Sequence, residues 1–156
     1  MTDATHPNVE QLYRSEHQRL WRSLVLFTGD REIAADAVAE AFAQLLRRGD
    51  AVRAPDRWVW RAAFRIAAGE LKRRSAHAAL PDEIAEAAEP ADVRVAIALL
   101  GLSPHQRSSI VLHYFAGYTY KQVAEIIGST AAAVSVHITR GRRHLRAVLE
   151  EDDAED

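Results

Sequence analysis

The chain has 156 residues, with 20 Lys plus Arg against 22 Asp plus Glu and a net charge of −2. A 48% hydrophobic content suits one ordinary domain or two small ones and excludes collagen-like sequence and wholesale disorder. No apolar run approaches the roughly 18 residues of a membrane span, and the absence of cysteine excludes disulfides, thiolate nucleophiles and Cys-type zinc sites.

Met1-Thr2-Asp3-Ala4-Thr5-His6-Pro7 has neither the basic start nor the apolar centre of a signal peptide, so a cytoplasmic protein without a membrane partner is expected. The first helix is predicted from Val9, Leu12, Leu20, Leu24 and Phe27, which recur at helical spacing and stop at Thr28-Gly29-Asp30. A second helix carries Ile33, Val38, Phe42, Leu45 and Leu46 and ends at Arg47-Arg48-Gly49. A third runs from Pro55-Asp56 to about Arg74. Ser75 to Pro90 is rich in Ala, Pro and Glu and buries too little surface to offset ordering its backbone, so it reads as a linker with room for a short helix at Asp82–Ala88.

Beyond it, Asp92 to Leu100 reads as helix, closed by Gly101. Ser103-Pro104-His105-Gln106 forms a capping box with Pro at the first helical position, opening a helix with Ile110, Val111, Tyr114 and Phe115 that stops at Gly117. Thr119-Tyr120-Lys121-Gln122 is a second capping box. Its short helix ends at Ile127, Gly128-Ser129-Thr130 turns, and a last helix runs from about Ala131 to Leu149. Strands are not expected. The fold class is all-α: two small helical domains joined by a flexible linker, the second a helix-turn-helix DNA-binding domain.

Charge follows the same division. Residues 1–75 hold 13 basic and 10 acidic groups, 76–92 hold 0 and 5, 93–149 hold 7 and 1, and 150–156 hold 0 and 6. Two basic blocks are thus separated by an acidic joint and closed by an acidic tail, which is expected to be solvated and mobile and able to shield the basic last helix.

In residues 119–146, Val123 and Ile126 or Ile127 can pack on Val134, Ile138 and Leu145, with Ala124 small at the close approach. Ser135, Thr139, Arg142 and Arg146 share one stripe, with Arg140 and Arg143 beside it. On the third helix Arg57, Arg61, Arg65 and Lys72 fall within an arc of roughly 80°, with Trp58 on one flank and Trp60, Phe64 and Leu71 on the other. Cations that track phosphates, interleaved with rings that stack on bases, suit a single strand. Core packing is the expectation for Trp60 and Phe64, which leaves Trp58 and the arginines as the functional candidates.

At this level of detail the chain resembles an extracytoplasmic-function (group 4) sigma factor of bacterial RNA polymerase. The resemblance rests on Leu12-Tyr13, Phe27-Thr28-Gly29-Asp30, Asp36-Ala37-Val38-Ala39-Glu40-Ala41-Phe42, Leu102-Ser103-Pro104-His105-Gln106-Arg107, Tyr120 to Gly128 and Arg140-Gly141-Arg142-Arg143-His144-Leu145-Arg146, in that order and spacing. It implies region two at 8–75, a linker at 76–91, region four at 92–149 and an acidic tail at 150–156. Asp36, Glu40 and Phe42 fall on positions that bind the polymerase clamp helices, although core packing is the alternative for Phe42. Arg57, Trp58, Arg61, Arg65, Lys72 and Arg73 would melt and hold the minus-ten strand. Thr130, Ala132, Ser135, Val136, His137, Thr139, Arg140, Arg142 and Arg143 would meet the duplex minus-thirty-five element. The implied partners are core RNA polymerase, through its clamp helices and flap, and promoter DNA, both duplex and melted strand. An anti-sigma factor, the usual inhibitor in this family, is an optional third partner.

The chain departs from the family pattern at Ala39 (usually Gln), at Arg65 and Gly69 (often Asn and Asp) and at Ser135 and His137 (commonly Lys and Arg), which puts base preference and minus-thirty-five affinity in question. A stand-alone helix-turn-helix regulator is the alternative and leaves the first block without a task. No enzyme is expected. The seven His form no His-Glu-x-x-His pair, and neither Gly-rich phosphate loops nor nucleophile signatures occur, so no cofactor and no metal are expected.

Overall fold

The computed structural model describes residues 6–74 and 93–155, which form seven helices and no strand. The linker, including Asp82–Ala88, lies outside the described residues. Helices α1 (His6–Thr28), α2 (Arg31–Arg48) and α3 (Pro55–Arg74) make the first unit. Gly29 at φ 68° turns the chain out of α1, and the Asp30 carboxylate accepts from the backbone N–H of Glu32 and Ile33 to start α2. Leu20, Leu24, Leu45, Val59 and Trp60 are fully buried between these helices. The Trp60 indole N–H donates to Glu16 Oε2 at 3.4 Å, so the ring is core and its one polar atom is satisfied.

The second unit holds α4 (Val93–Leu99), α5 (Pro104–Ile110), α6 (Tyr120–Ile127) and α7 (Ala131–Glu155). Both capping boxes form, Ser103 with Gln106 and Thr119 with Gln122. Two features differ from the sequence expectation. The helix begun at Pro104 passes at Val111–Phe115 into a π turn, with the Ala116 N–H bonded to the Val111 carbonyl at 3.1 Å. The wider turn shifts the register, so Tyr114 and Phe115 stand 50% and 38% exposed instead of entering the core. The acidic tail is helical through Glu155 rather than a mobile end, because propagating an established helix costs far less than starting one and nothing after Gly141 breaks it. Arg94 of α4 bonds Asp153 at 2.9 Å and offsets the unfavourable carboxylates at the helix C-terminus. Asp153 lies about 15 Å along the axis from Arg143, so this contact ties the tail to α4 at a distance from the arginines of α7.

The two units are packed against each other. One buried cluster runs through both, with α3 against α6 and the end of α1 against α5 and the π turn. Phe27 and Phe64 stack at 5.2 Å beside this junction, and Tyr118 meets Trp60 edge-on at 5.3 Å.

Candidate nucleic-acid and polymerase interfaces

Pro55 sits at the first position of α3 and the Trp58 N–H closes the first turn onto the Ala54 carbonyl at 2.9 Å, so the helix starts where Val59, Trp60, Ala63 and Phe64 face the core and the arginines between them face outward. Arg57, Arg61, Arg65, Lys72 and Arg73 are all exposed, as the sequence expects. Trp58 is half-buried and the Arg48 guanidinium lies 5.4 Å from its ring centre. Together with Arg53, Arg57 and Arg61 they line a cavity of about 400 Å³ that also borders Ala51, Val52 and Ala54 and, from α6, Ile126 and Glu125, whose carboxylate lies 3.7 Å from Arg57 Nη1. Arg48 and Arg53 escape sequence reasoning because they flank the Gly49–Ala51 turn and belong to no helical stripe; the cluster Arg47-Arg48-Gly49-Asp50-Ala51-Val52-Arg53 is the signal that could have found them. Among the described residues Arg53, Arg61, Arg65 and Lys72 make no ion pair, whereas Arg73 is held by Glu70 at 2.7 Å.

The helix-turn-helix is built by α6 and α7. Gly128 takes the left-handed conformation, φ 72° and ψ 44°, that closes α6, and Thr130 Oγ1 accepts from the Ala133 N–H at 3.1 Å to open α7. Val123, Ala124, Ile126, Val134 and Ile138 are buried between and behind the helices, as expected. Gly141, buried in α7, is needed for a reason the sequence hides: a Cβ there would stand 2.5 Å from Ile110 Cδ1 of α5. Thr130, Ala132, Val136, Thr139, Arg140, Arg142 and Arg143 present an exposed face. Ser135 and His137 are half-buried. His137 stacks on His105 at 5.3 Å, and burial, then His105 and Arg140, push its imidazole below the ordinary histidine range, so at neutral pH it brings no charge to this face. Arg142 lies 5.8 Å from the ring of Tyr114, the residue that the π turn turned outward.

On α2, Asp36 and Glu40 are exposed one turn apart. Glu40 accepts from Gln44 and Arg47, both at 3.1 Å, and these bonds hold its carboxyl below the usual carboxylate range. Phe42 is buried at 5% exposure, edge-on to Tyr13 at 5.0 Å, so it braces the helix from within and presents no contact surface of its own. The exposed apolar groups on this unit are Tyr13 and Leu46, at 45% and 54%, whose core-like helical spacing conceals them in the sequence. Among the described residues no group of three His, Asp or Glu is placed to hold a metal ion, and no helix is long and apolar enough to cross a membrane.

The family profile of sigma-70 region 4 matches residues 93–145. The extracytoplasmic-function RNA polymerase sigma factor SigM of Mycobacterium tuberculosis (strain ATCC 35801 / TMC 107 / Erdman) is 30% identical over 149 residues, covering 90% of this chain and 76% of SigM. Among solved structures, CnrH in complex with the cytosolic domain of CnrY superposes with a TM-score of 0.75 at 23% identity, over 97% of this chain and 93% of CnrH. RpoE of Bartonella quintana, bound to the anti-sigma factor NepR, superposes with a TM-score of 0.77 at 18% identity, over 92% and 97%. At those identities the structures speak for the all-helical fold. Sequence relationship along nine-tenths of the chain, with the helix-turn-helix in place, settles the rest: the chain belongs to the extracytoplasmic-function sigma factors and is an RNA polymerase sigma factor that acts in transcription initiation.

Proposed function

We propose a division of labour in which each cationic face meets one state of promoter DNA. Residues 8–75 act as region two, with Asp36 and Glu40 of α2 meeting the polymerase clamp helices and Phe42 bracing them from inside. Arg57, Trp58, Arg61, Arg65, Lys72 and Arg73 hold the melted minus-ten strand. Residues 92–149 act as region four, with Thr130, Ala132, Val136, Thr139, Arg140, Arg142 and Arg143 on the minus-thirty-five duplex, and Ser135 and His137 shaping that face from its edge. The protein works in the cytoplasm, catalyses no reaction itself and contributes specificity to core polymerase. As with CnrH and RpoE, whose structures hold CnrY and the anti-sigma factor NepR, it takes an inhibitory protein partner.

The observation that carries this reading is the Trp58 cavity. An aromatic ring with Arg48, Arg53, Arg57 and Arg61 around it, and one carboxylate, Glu125, on the far wall, suits an unstacked base and its phosphates. A regulator that binds duplex alone has no use for it. The test is run-off transcription with core polymerase on a genomic promoter library, followed by permanganate footprinting of an active promoter. Arg57→Ala with Arg61→Ala is expected to abolish thymine reactivity in the melted segment while polymerase binding persists. Unchanged reactivity in that double variant refutes the assignment of α3.

A further inference from the structure

Two imidazoles meet at the rim of the duplex-reading face. His137 lies on α7 one turn before Arg140, between the exposed Val136 and the buried Ile138, and is itself half-buried. His105, exposed in the first turn of α5, stacks on it with ring centroids 5.3 Å apart and planes 16° from parallel. Because the rings come from different helices, the stack fixes the His137 side chain against α5 and removes its rotamer freedom. Among the described residues the charges that act on His137 are those of His105 across the stack and Arg140 on its own helix. His105 in turn borders two spaces whose walls hold Arg65, Lys72 and Arg74 of α3 and Arg107 of α5 and, among the described residues, no carboxylate. Asp30 approaches this side only through Arg74, at 3.9 Å. His144, two turns further along α7, lies against Gly101 instead.

The charges nearest the pair are therefore cationic, and together with burial they keep His137 neutral in the free protein. A DNA phosphate brought beside Arg140 reverses this balance, because an opposite charge within ~4–6 Å favours the protonated ring. We propose that the stacked pair is a proton-dependent contact for duplex DNA, in which His105 is a positioning residue that holds the His137 ring at the rim and His137 takes up one proton as a phosphate comes beside it. The inference rests on the reading of α7 given above. One proton enters rather than two, since a second imidazolium across the stack would be repelled. The complex then binds more protons than its free components, so duplex affinity rises as pH falls. Each unit by which the phosphate raises the pKa of the ring is tenfold in affinity, and a rise of about tenfold between pH 8 and pH 5.5 is expected.

The test titrates holoenzyme, assembled with core polymerase, into a fluorescent duplex carrying the minus-thirty-five segment of a promoter from the run-off library. Variants are compared with the unaltered chain at each pH, so that the response of polymerase itself cancels. His137→Gln should lose the rise, and His137→Arg should bind at pH 8 as tightly as the unaltered chain does at pH 5.5. In the unaltered chain the slope of log affinity against log salt should steepen by about 0.9 between pH 8 and pH 5.5, the mark of one added phosphate contact. His105→Ala opens the His137 ring to solvent and should move the rise to higher pH; an unmoved rise overturns the positioning role. No rise in the unaltered chain, or one that persists in His137→Gln, overturns the inference and leaves the reading of α7 standing. Duplex affinity at pH 8 that Arg140→Ala with Arg143→Ala does not lower removes that reading, and the inference with it.

Discussion

Replacing Arg107 by Met keeps most of the side chain's volume and removes its charge from a site where it is 8% exposed. Among the described residues no carboxylate balances that charge. The guanidinium instead donates Nε to the Phe27 carbonyl, in the last turn of α1, and Nη1 to the carbonyls of Leu102 at 3.2 Å and Leu100 at 3.4 Å, just beyond α4. Arg107 therefore ties together the C-terminal ends of two helices, where unpaired carbonyls collect and the macrodipoles favour a cation. Burial lowers its pKa from the ordinary arginine value, the physical sign of a desolvated charge.

Two effects compete when Met is substituted. Replacing a buried charge by an apolar isostere recovers desolvation energy and can stabilise a protein when both partners are replaced. Here the partners are main-chain carbonyls that no side-chain change removes, so the loss of bonding to buried acceptors prevails. One strong charge-assisted bond is worth about 1.5–3 kcal/mol and two long ones less; with desolvation recovered, the net loss is about 2–4 kcal/mol out of the usual 5–15. Arg107→Lys, which keeps the charge but not the fork, should lose about half of that. Urea unfolding followed by far-ultraviolet circular dichroism measures both, and a midpoint drop of roughly 1–2 M is expected for Met at an unchanged slope. A Met variant as stable as the parent would refute the assignment of these three carbonyls to Arg107.

Tyr118 predicts an alkaline limit. Burial pushes its hydroxyl up to about 12, so its folded value exceeds the unfolded one near 10. A raised acid contributes stability fully below about pH 10 that is lost as pH rises through 12, at most about 2–3 kcal/mol and less after allowance for solvent. Tyr118→Phe should therefore flatten the fall in urea midpoint over that window, and parallel curves would sink the idea. Gly69 and Gly141 should respond oppositely to alanine. A Cβ at Gly69 meets nothing within 4 Å in mid-α3, so Gly69→Ala gains about 0.5–1 kcal/mol of helix propensity. Gly141→Ala makes the same gain but drives Cβ toward Ile110, and overpacking of about 1–3 kcal/mol prevails. Thermal melts that shift the same way for both would disprove the argument.

What was legible in the sequence is what local chemistry dictates. Asp30, Ser103 with Gln106 and Thr119 with Gln122 announce helix starts through bonds made within three residues, and Gly29 and Gly128 announce ends through a backbone conformation other residues avoid. The exposed arginines of α3 and α7 follow from helical spacing alone. The remainder depends on contacts between residues far apart in the chain. Arg107 looks like any cation after a capping box until Phe27 is placed beside it, 80 positions away. Tyr114 and Phe115 look like core until the π turn rotates them out, and nothing in Val111-Leu112-His113 marks that insertion. The packing of the two units on each other brings Arg19 to Ala116, positions 97 apart.

The same geometry changes what the charge arithmetic means. A net +3 over residues 1–75 counts thirteen cations alike, yet Arg14 is paired to Glu10, Arg19 to Glu16, Arg47 to Glu40, and Arg73 and Arg74 to Glu70. These pairs use four of the ten acidic groups, and six of the eight cations left over, Arg48, Arg53, Arg57, Arg61, Arg65 and Lys72, gather on α3 and the turn before it. In residues 93–149 the correction runs the other way: Arg107 is spent on carbonyls inside the protein and Arg94 on Asp153, so the surplus available to DNA is narrower than +6 and lies on α7 with Lys121. Salt should therefore weaken strand binding by α3 and duplex binding by α7 to similar degrees, since each presents only about four or five free cations to phosphate. The family departures at Ser135 and His137 fall on the second surface, where an uncharged, stacked imidazole replaces a common arginine. That surface depends on the arginines of α7 and Lys121 for its charge, while α3 is joined by Arg48 and Arg53 across the Gly49 turn.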